Sequence, residues 1–180
     1  RASSRSRGAR GNFNARLNWR GEGGTVLNLQ PWLMATEFDS SGRAGLTQSL
    51  GAVPAPWAQS VSRSDGDSRV ARLAGDWGSR ALGGRLTLRF NLSGSQSSND
   101  SEVREFNAAG APSRILETSS SLRERNALLV GKHAVQLGEG HAITSGVEIE
   151  RNRRRERAET LQDGAPLFAD SGDTFLARTQ

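Results

Sequence analysis

The sequence predicts an all-β chain: an antiparallel up-and-down meander of six to seven strands forming part of a transmembrane β-barrel. Three observations carry this. Apolar residues alternate with polar ones at period two, the spacing of a strand with two unlike faces. Short Gly-rich turns alternate with long polar segments. And the composition is too polar for an ordinary soluble core, at 34% hydrophobic with 24% charged residues.

The first strand is expected over about 12–20. Phe13, Ala15, Leu17 and Trp19 share one parity against Asn12, Asn14, Arg16 and Asn18. Gly21-Glu22-Gly23-Gly24 marks a tight turn. The second strand, 25–36, has Leu27, Leu29, Pro31, Leu33 and Ala35 on its apolar parity, while Trp32 and Met34 interrupt the other. Pro31 cannot donate a ladder hydrogen bond, so a bulge or a site near the outer rim is expected there.

A second hairpin spans strands 69–77 and 85–93, turning within Gly78 to Gly84. Leu86, Leu88, Phe90 and Leu92 oppose Arg85, Thr87, Arg89 and Asn91, the cleanest alternation in the chain. A third hairpin joins 123–133, whose parity is ambiguous, to 141–151 through Leu137-Gly138-Glu139-Gly140. Ile143, Val147 and Ile149 lie on its apolar parity. A seventh strand is expected over 174–180. Glu37–Ser68, Ser93–Ser121 and Arg151–Asp173, rich in Ser, Gly, Asp and Arg, are expected as long loops; they hold Pro54, Pro56, Pro112 and Pro166.

Tight turns at one end and long loops at the other are the pattern of an outer-membrane barrel. Its strands cross with about 9–11 residues, and lipid forces every backbone polar group to pair between strands. No apolar run approaches the roughly 20 residues of a helical span. Cysteine is absent, which excludes a disulfide framework and a thiolate metal site. The chain opens Arg-Ala-Ser-Ser, without Met or an apolar signal region. Both ends are expected on the external side, so residues 1–180 are expected to be a slice of a larger barrel.

Phe13–Arg20, Thr25–Leu33 and Gly140–Arg151 resemble barrel strands of TonB-dependent outer-membrane receptors. The resemblance covers most of the chain and is one of strand texture. It implies a barrel of about 22 strands around an N-terminal plug. It also implies energy drawn through the partner TonB, uptake of a ferric siderophore, haem, cobalamin or similar scarce nutrient, and residence in a Gram-negative outer membrane, as a monomer. Neither plug nor TonB-contacting box is visible, so no functional residue is carried over from the family. The chain has no Tyr and only 6% aromatic residues, a departure from the usual aromatic girdles.

Trp19 and Trp77 adjoin short turns on the apolar parity, where indole suits a periplasmic girdle; ordinary strand aromatics are the plainer reading. Among the basic residues only Lys132 is lysine, and the net charge is +5. The densest run is Arg151, Arg153, Arg154, Arg155 and Arg157. Arg151, Arg153 and Arg155 are candidates for contact with lipopolysaccharide phosphates at the outer rim. A solvated loop and a nucleic-acid-binding segment are the alternatives; no stacking aromatic is interleaved, which disfavours the latter. Arg72, Arg85, Arg89, Glu148 and Glu150 fall on the opposite parity and are candidates for a ligand path in the lumen. A passive porin or a secretion barrel remains open beside the receptor reading.

No catalytic function is expected. Glu148 and Glu150 have no partner constellation. His133 and His141 lack metal-ligand spacing, and no cofactor is implied. The glycines at 21–24 lack the Gly-Lys-Ser/Thr ending of a phosphate loop.

Overall fold

The structure is a computed structural model and describes residues 2–48, 55–168 and, for the backbone alone, 174–179. Each predicted apolar alternation forms a strand: β1 (Ala2–Asn14), β2 (Leu17–Arg20), β3 (Val26–Gly45), β4 (Gln59–Ala81), β5 (Gly84–Phe106), β6 (Pro112–Gln136), β7 (Ala142–Gln162), β8 (Ala165–Pro166) and β9 (Thr174–Thr179). All pair antiparallel in one sheet of order β1-β3-β4-β5-β6-β7, with β2 extending β1 alongside β3 and with β8 and β9 both returning along β7. The expected meander of neighbouring strands is therefore present, as an open sheet whose outer edges are β1 and the β8–β9 course.

The principal difference from expectation is strand length. β3 to β7 run 20 to 25 residues, about twice what a bilayer requires. The polar segments expected as long loops are mostly strand. Their Ser, Gly, Asp and Arg residues occupy both faces of the sheet, so they carry no apolar alternation to betray the extended backbone. Of the three loops, only the β3–β4 connection after Gly45 remains long. The β5–β6 connection shrinks to 107–111, where the Asn107 carboxamide oxygen accepts from the Ala109 and Ala111 amides, each at 3.0 Å. The β7–β8 reversal is only Asp163-Gly164.

The turn between β4 and β5 is narrower than the sequence suggested. β4 and β5 are joined by Leu82-Gly83 alone, at φ 52° and 72°. Positive φ at both central residues is the geometry whose twist matches a hairpin. Glu22–Gly24 forms a single 3-10 turn ahead of β3.

Pro31 is neither a bulge nor at a rim. β1 and β2 pair with β3 in one continuous register, Asn14 opposite Trp32 and Leu17 opposite Leu29, interrupted only beside Pro31. The Ala15 amide donates to the Pro31 carbonyl at 3.1 Å. In an antiparallel ladder a residue's N–H and C=O point to the same neighbour. The missing donor therefore faces β1–β2, and the ladder to β4 continues unbroken past Pro31 opposite Leu73.

Among the described residues no apolar side chain is buried. The chain exposes 13249 Å², where a compact soluble protein of this mass exposes about 8500 Å². A single layer has no interior of its own, so its function is a property of its two faces.

Candidate functional site

Residues directly opposite across a ladder share a face, and the registers sort the side chains into rows. One row reads Trp19, Leu27, Trp77, Leu88, Gly131, Val147. The next reads Leu17, Leu29, Gly75, Phe90, Leu129, Ile149, and the third Ala15, Pro31, Leu73, Leu92, Ala127, Arg151. Phe13, Leu33, Ala71 and Gly94 continue it on β1 and β3 to β5. Packing agrees with register: a Cβ placed on Gly131 would lie 3.4 Å from both Leu88 and Val147. This is an apolar band across six adjacent strands, with Ile149 58% and Leu129 41% exposed.

Trp19 and Trp77 stand in the same row, at the end of the band nearest the tight turns. Below them lie Thr25 and Ser79, whose hydroxyls hydrogen-bond at 3.0 Å. On β3 and β4 the band thus passes from indole to hydroxyl in two residues, while Leu86, opposite Ser79, carries it one row further on β5.

The opposite face holds all five ligand-path candidates, Arg72, Arg85, Arg89, Glu148 and Glu150, at different depths. Arg85 lies nearest the tight turn, opposite Arg80. Arg89 stands opposite Asp76, whose carboxylate accepts from the Asn28 amide at 2.8 Å. Arg72 donates to Asn91 at 3.0 Å. Glu148 is opposite Val130, two strands from Arg89, and Glu150 accepts from Asn152 at 2.8 Å. The face is polar but not a converged site: Trp32, Leu128 and Val130 interrupt it.

Above the band both faces become charged. On the inner face Arg154 bridges Glu124 at 3.2 Å and Glu156 at 2.9 Å. Arg114 grips Glu105 with two bonds, 3.0 and 2.8 Å, and Glu105 is the sole buried charged residue among those described. That pairing raises the Arg114 guanidinium above its usual pKa. On the outer face Arg104 hydrogen-bonds Glu102 and holds its carboxyl below the usual range.

The run at 151–157 is not a loop but the middle of β7, and it divides by face. Arg151, Arg153, Arg155 and Arg157 point outward with the apolar band, and Arg154 points inward. The sequence did not reveal their neighbours. Arg125 lies opposite Arg153 and Arg123 opposite Arg155 on β6. The parity of β6 is masked in sequence because Leu128 and Val130 are as apolar as Ala127 and Leu129, so only the register exposes this pairing.

His133 bonds the Ala81 carbonyl at 3.1 Å, and the described residues contain no group of side chains able to hold a metal ion. No helix among them is long and apolar enough to cross a membrane. No family model matches the sequence, and no curated protein does either.

Proposed function

We propose that the chain is the barrel segment of an outer-membrane receptor of the TonB-dependent kind, importing a ferric siderophore or similar scarce nutrient past a plug. The observation that carries the reading is the apolar band: one face of a single-layer sheet, apolar across six strands, with no apolar side chain buried among the described residues. Water would leave this face bare, and a soluble partner would have to cover all of it. Lipid covers it at the thickness the band offers, since Leu86 to Gly94 on β5 amounts to about 9 residues. An unpaired strand edge has no hydrogen-bonding partner in hydrocarbon, so the reading requires both open edges to be paired. Further strands would close the barrel.

The inner face supports transport of a polar, anionic cargo. Arg85, Arg89 and Arg72 occupy successive depths, a ladder of cations along a lumen.

The test is uptake of a radiolabelled ferric siderophore by cells lacking the full-length protein and complemented with it. Uptake that depends on the protein and stops when the inner-membrane proton gradient is dissipated is the expected result. Uptake that survives dissipation identifies a passive pore instead. Arg89→Ala is expected to lower uptake with the thermal midpoint unchanged. A lowered midpoint would assign Arg89 to packing, and no change in either would remove it from the ligand path.

A further inference from the structure

The outward face of β6 and β7 carries an arrangement that a folded protein ordinarily avoids. Arg125 opposes Arg153, and two residues on, Arg123 opposes Arg155. Directly opposed side chains on one face have Cβ atoms about 4.5–5.5 Å apart, and like charges there repel. Among the described residues no carboxylate forms an ion pair with Arg123, Arg125, Arg153 or Arg155; Arg123 donates to the neutral Gln96 amide at 2.9 Å. The contrast with Arg154 on the same strand is direct, because that side chain sits between two glutamates on the inner face. The sheet neutralises the inward arginine and leaves the outward four facing one another around a recess of about 100 Å³ that only they line.

Position adds a second observation. Ala127 and Arg151 belong to the uppermost full row of the apolar band, so the four arginines begin one row above it. Beside them lies an open groove of about 690 Å³. Its floor is made shallow by Gly11, Ala35, Ala71 and Gly94, and Phe13 and Leu33 supply apolar surface. Arg123 and Arg125 line both groove and recess. An apolar trough joined to a cationic recess, at the upper limit of an apolar band, is complementary to an amphiphile with a phosphate at its head.

We propose that this surface docks a phosphorylated glycolipid of the surrounding outer leaflet. Its phosphate is held by the guanidinium groups of Arg123, Arg125, Arg153 and Arg155, and an acyl chain lies along the Gly11–Gly94 groove. Guanidinium suits this role because its planar fork donates two parallel hydrogen bonds to phosphate oxygens while staying ionised. The anion relieves the repulsion that register imposes on the four side chains. The proposal rests on the outer-membrane reading, since it needs the apolar band to be the lipid-facing side.

The experiment uses the full-length protein, delipidated in detergent, and diphosphoryl lipid A as probe, with binding followed by native mass spectrometry. Arg123→Gln, Arg125→Gln, Arg153→Gln and Arg155→Gln are combined in one variant, and Arg154→Gln is the inner-face control. The combined variant is expected to bind lipid A at least tenfold more weakly, and the control to bind as the unaltered protein does. In lipid-free detergent the combined variant is expected to unfold at a higher temperature than the unaltered protein, because the like-charge pairs are gone. Equal binding by the two proteins overturns the proposal. So does complete displacement of lipid A by millimolar inorganic phosphate, which would make the recess a site for the free anion. Heat-modifiable migration on gels is scored in the same preparations. A barrel that migrates normally yet ignores lipid A refutes the docking site alone, whereas the absence of a heat-modifiable form refutes the outer-membrane reading beneath it.

Discussion

The lower and upper halves of this sheet share one backbone and differ in everything attached to it. From the row of Trp19 and Trp77 up to the row of Leu73 and Leu92, the outer face is apolar on six strands save for Arg151. Above it the same strands continue in register, yet the outer face reads Glu37, Asp67, Ser98, Ser121, Arg157 in one row and Arg7, Asp39, Asp65, Asp100, Ser119, Glu159 in another. The ladder is indifferent to this change because backbone groups pair between strands in either medium. What differs is the solvent each half is built to meet. The hydrogen bonds specify a sheet, and the side chains divide it into an apolar half and a charged one.

That contrast can be broken most severely by putting a charge in the wrong half. Leu88→Arg, in the middle of the band, is expected to cost about 2–4 kcal/mol of barrel stability. Ser119→Arg, on the same face but between Asp100 and Glu159, is expected to change stability by no more than about 0.5 kcal/mol. Reversible urea unfolding of the full-length barrel in lipid vesicles measures both. Equal losses at the two positions would refute the assignment of the faces.

Packing separates the halves on a smaller scale. Gly75 lies beneath Phe90 and Leu29, where an added Cβ would come within 2.6 Å of the Phe90 ring and 2.9 Å of the Leu29 side chain. Gly94, on the same face at the top of the band, has its nearest atom 3.8 Å away. Gly75→Ala is therefore expected to destabilise by about 1–3 kcal/mol through overpacking, and Gly94→Ala by far less. A thermal-shift comparison that ranks them the other way would contradict the packing.

Depth can be read optically. In single-tryptophan variants, brominated lipid should quench Trp19 and Trp77 strongly and Trp57, which lies beyond the upper end of the strands, weakly. Quenching of Trp57 as strong as that of Trp77 would place the lipid boundary wrongly.

The smallest effect is that of pH on the upper half. Glu102 is held below the usual carboxylate pKa by its hydrogen bond to Arg104. Its contribution to stability is present above the ordinary carboxylate value and disappears as pH falls through the lowered one. Arg104 is exposed and Glu102 only half-buried, so the gain is slight. Glu102→Gln should lower the thermal midpoint marginally at neutral pH and not at all at strongly acid pH.

The sequence was informative where one face met a different medium from the other. Leu86, Leu88, Phe90 and Leu92 announce their strand and its parity without any knowledge of neighbours, and Gly83 marks its turn. It was silent where both faces meet water. Ser95 to Asp100 on β5 carry no alternation, so composition suggested a loop while pairing to β4 and β6 makes a strand. It was also silent on relations between strands. Arg123 and Arg125 belong with Arg153 and Arg155 only because β6 and β7 share one register, and nothing local encodes that number.

Every extensive contact in the sheet is between a strand and the one beside it. Such a chain behaves like a linear array, whose stability accumulates from unit to neighbouring unit. The natural module is the hairpin, since two strands together restore both the direction of the chain and the face each side chain presents. Excising β4 with β5 would bring β3 against β6 with up and down, inside and outside, still in agreement, whereas removing one strand would reverse every element after it. The architecture thus admits growth and loss in pairs, and the width of the sheet can change without redesign of its section.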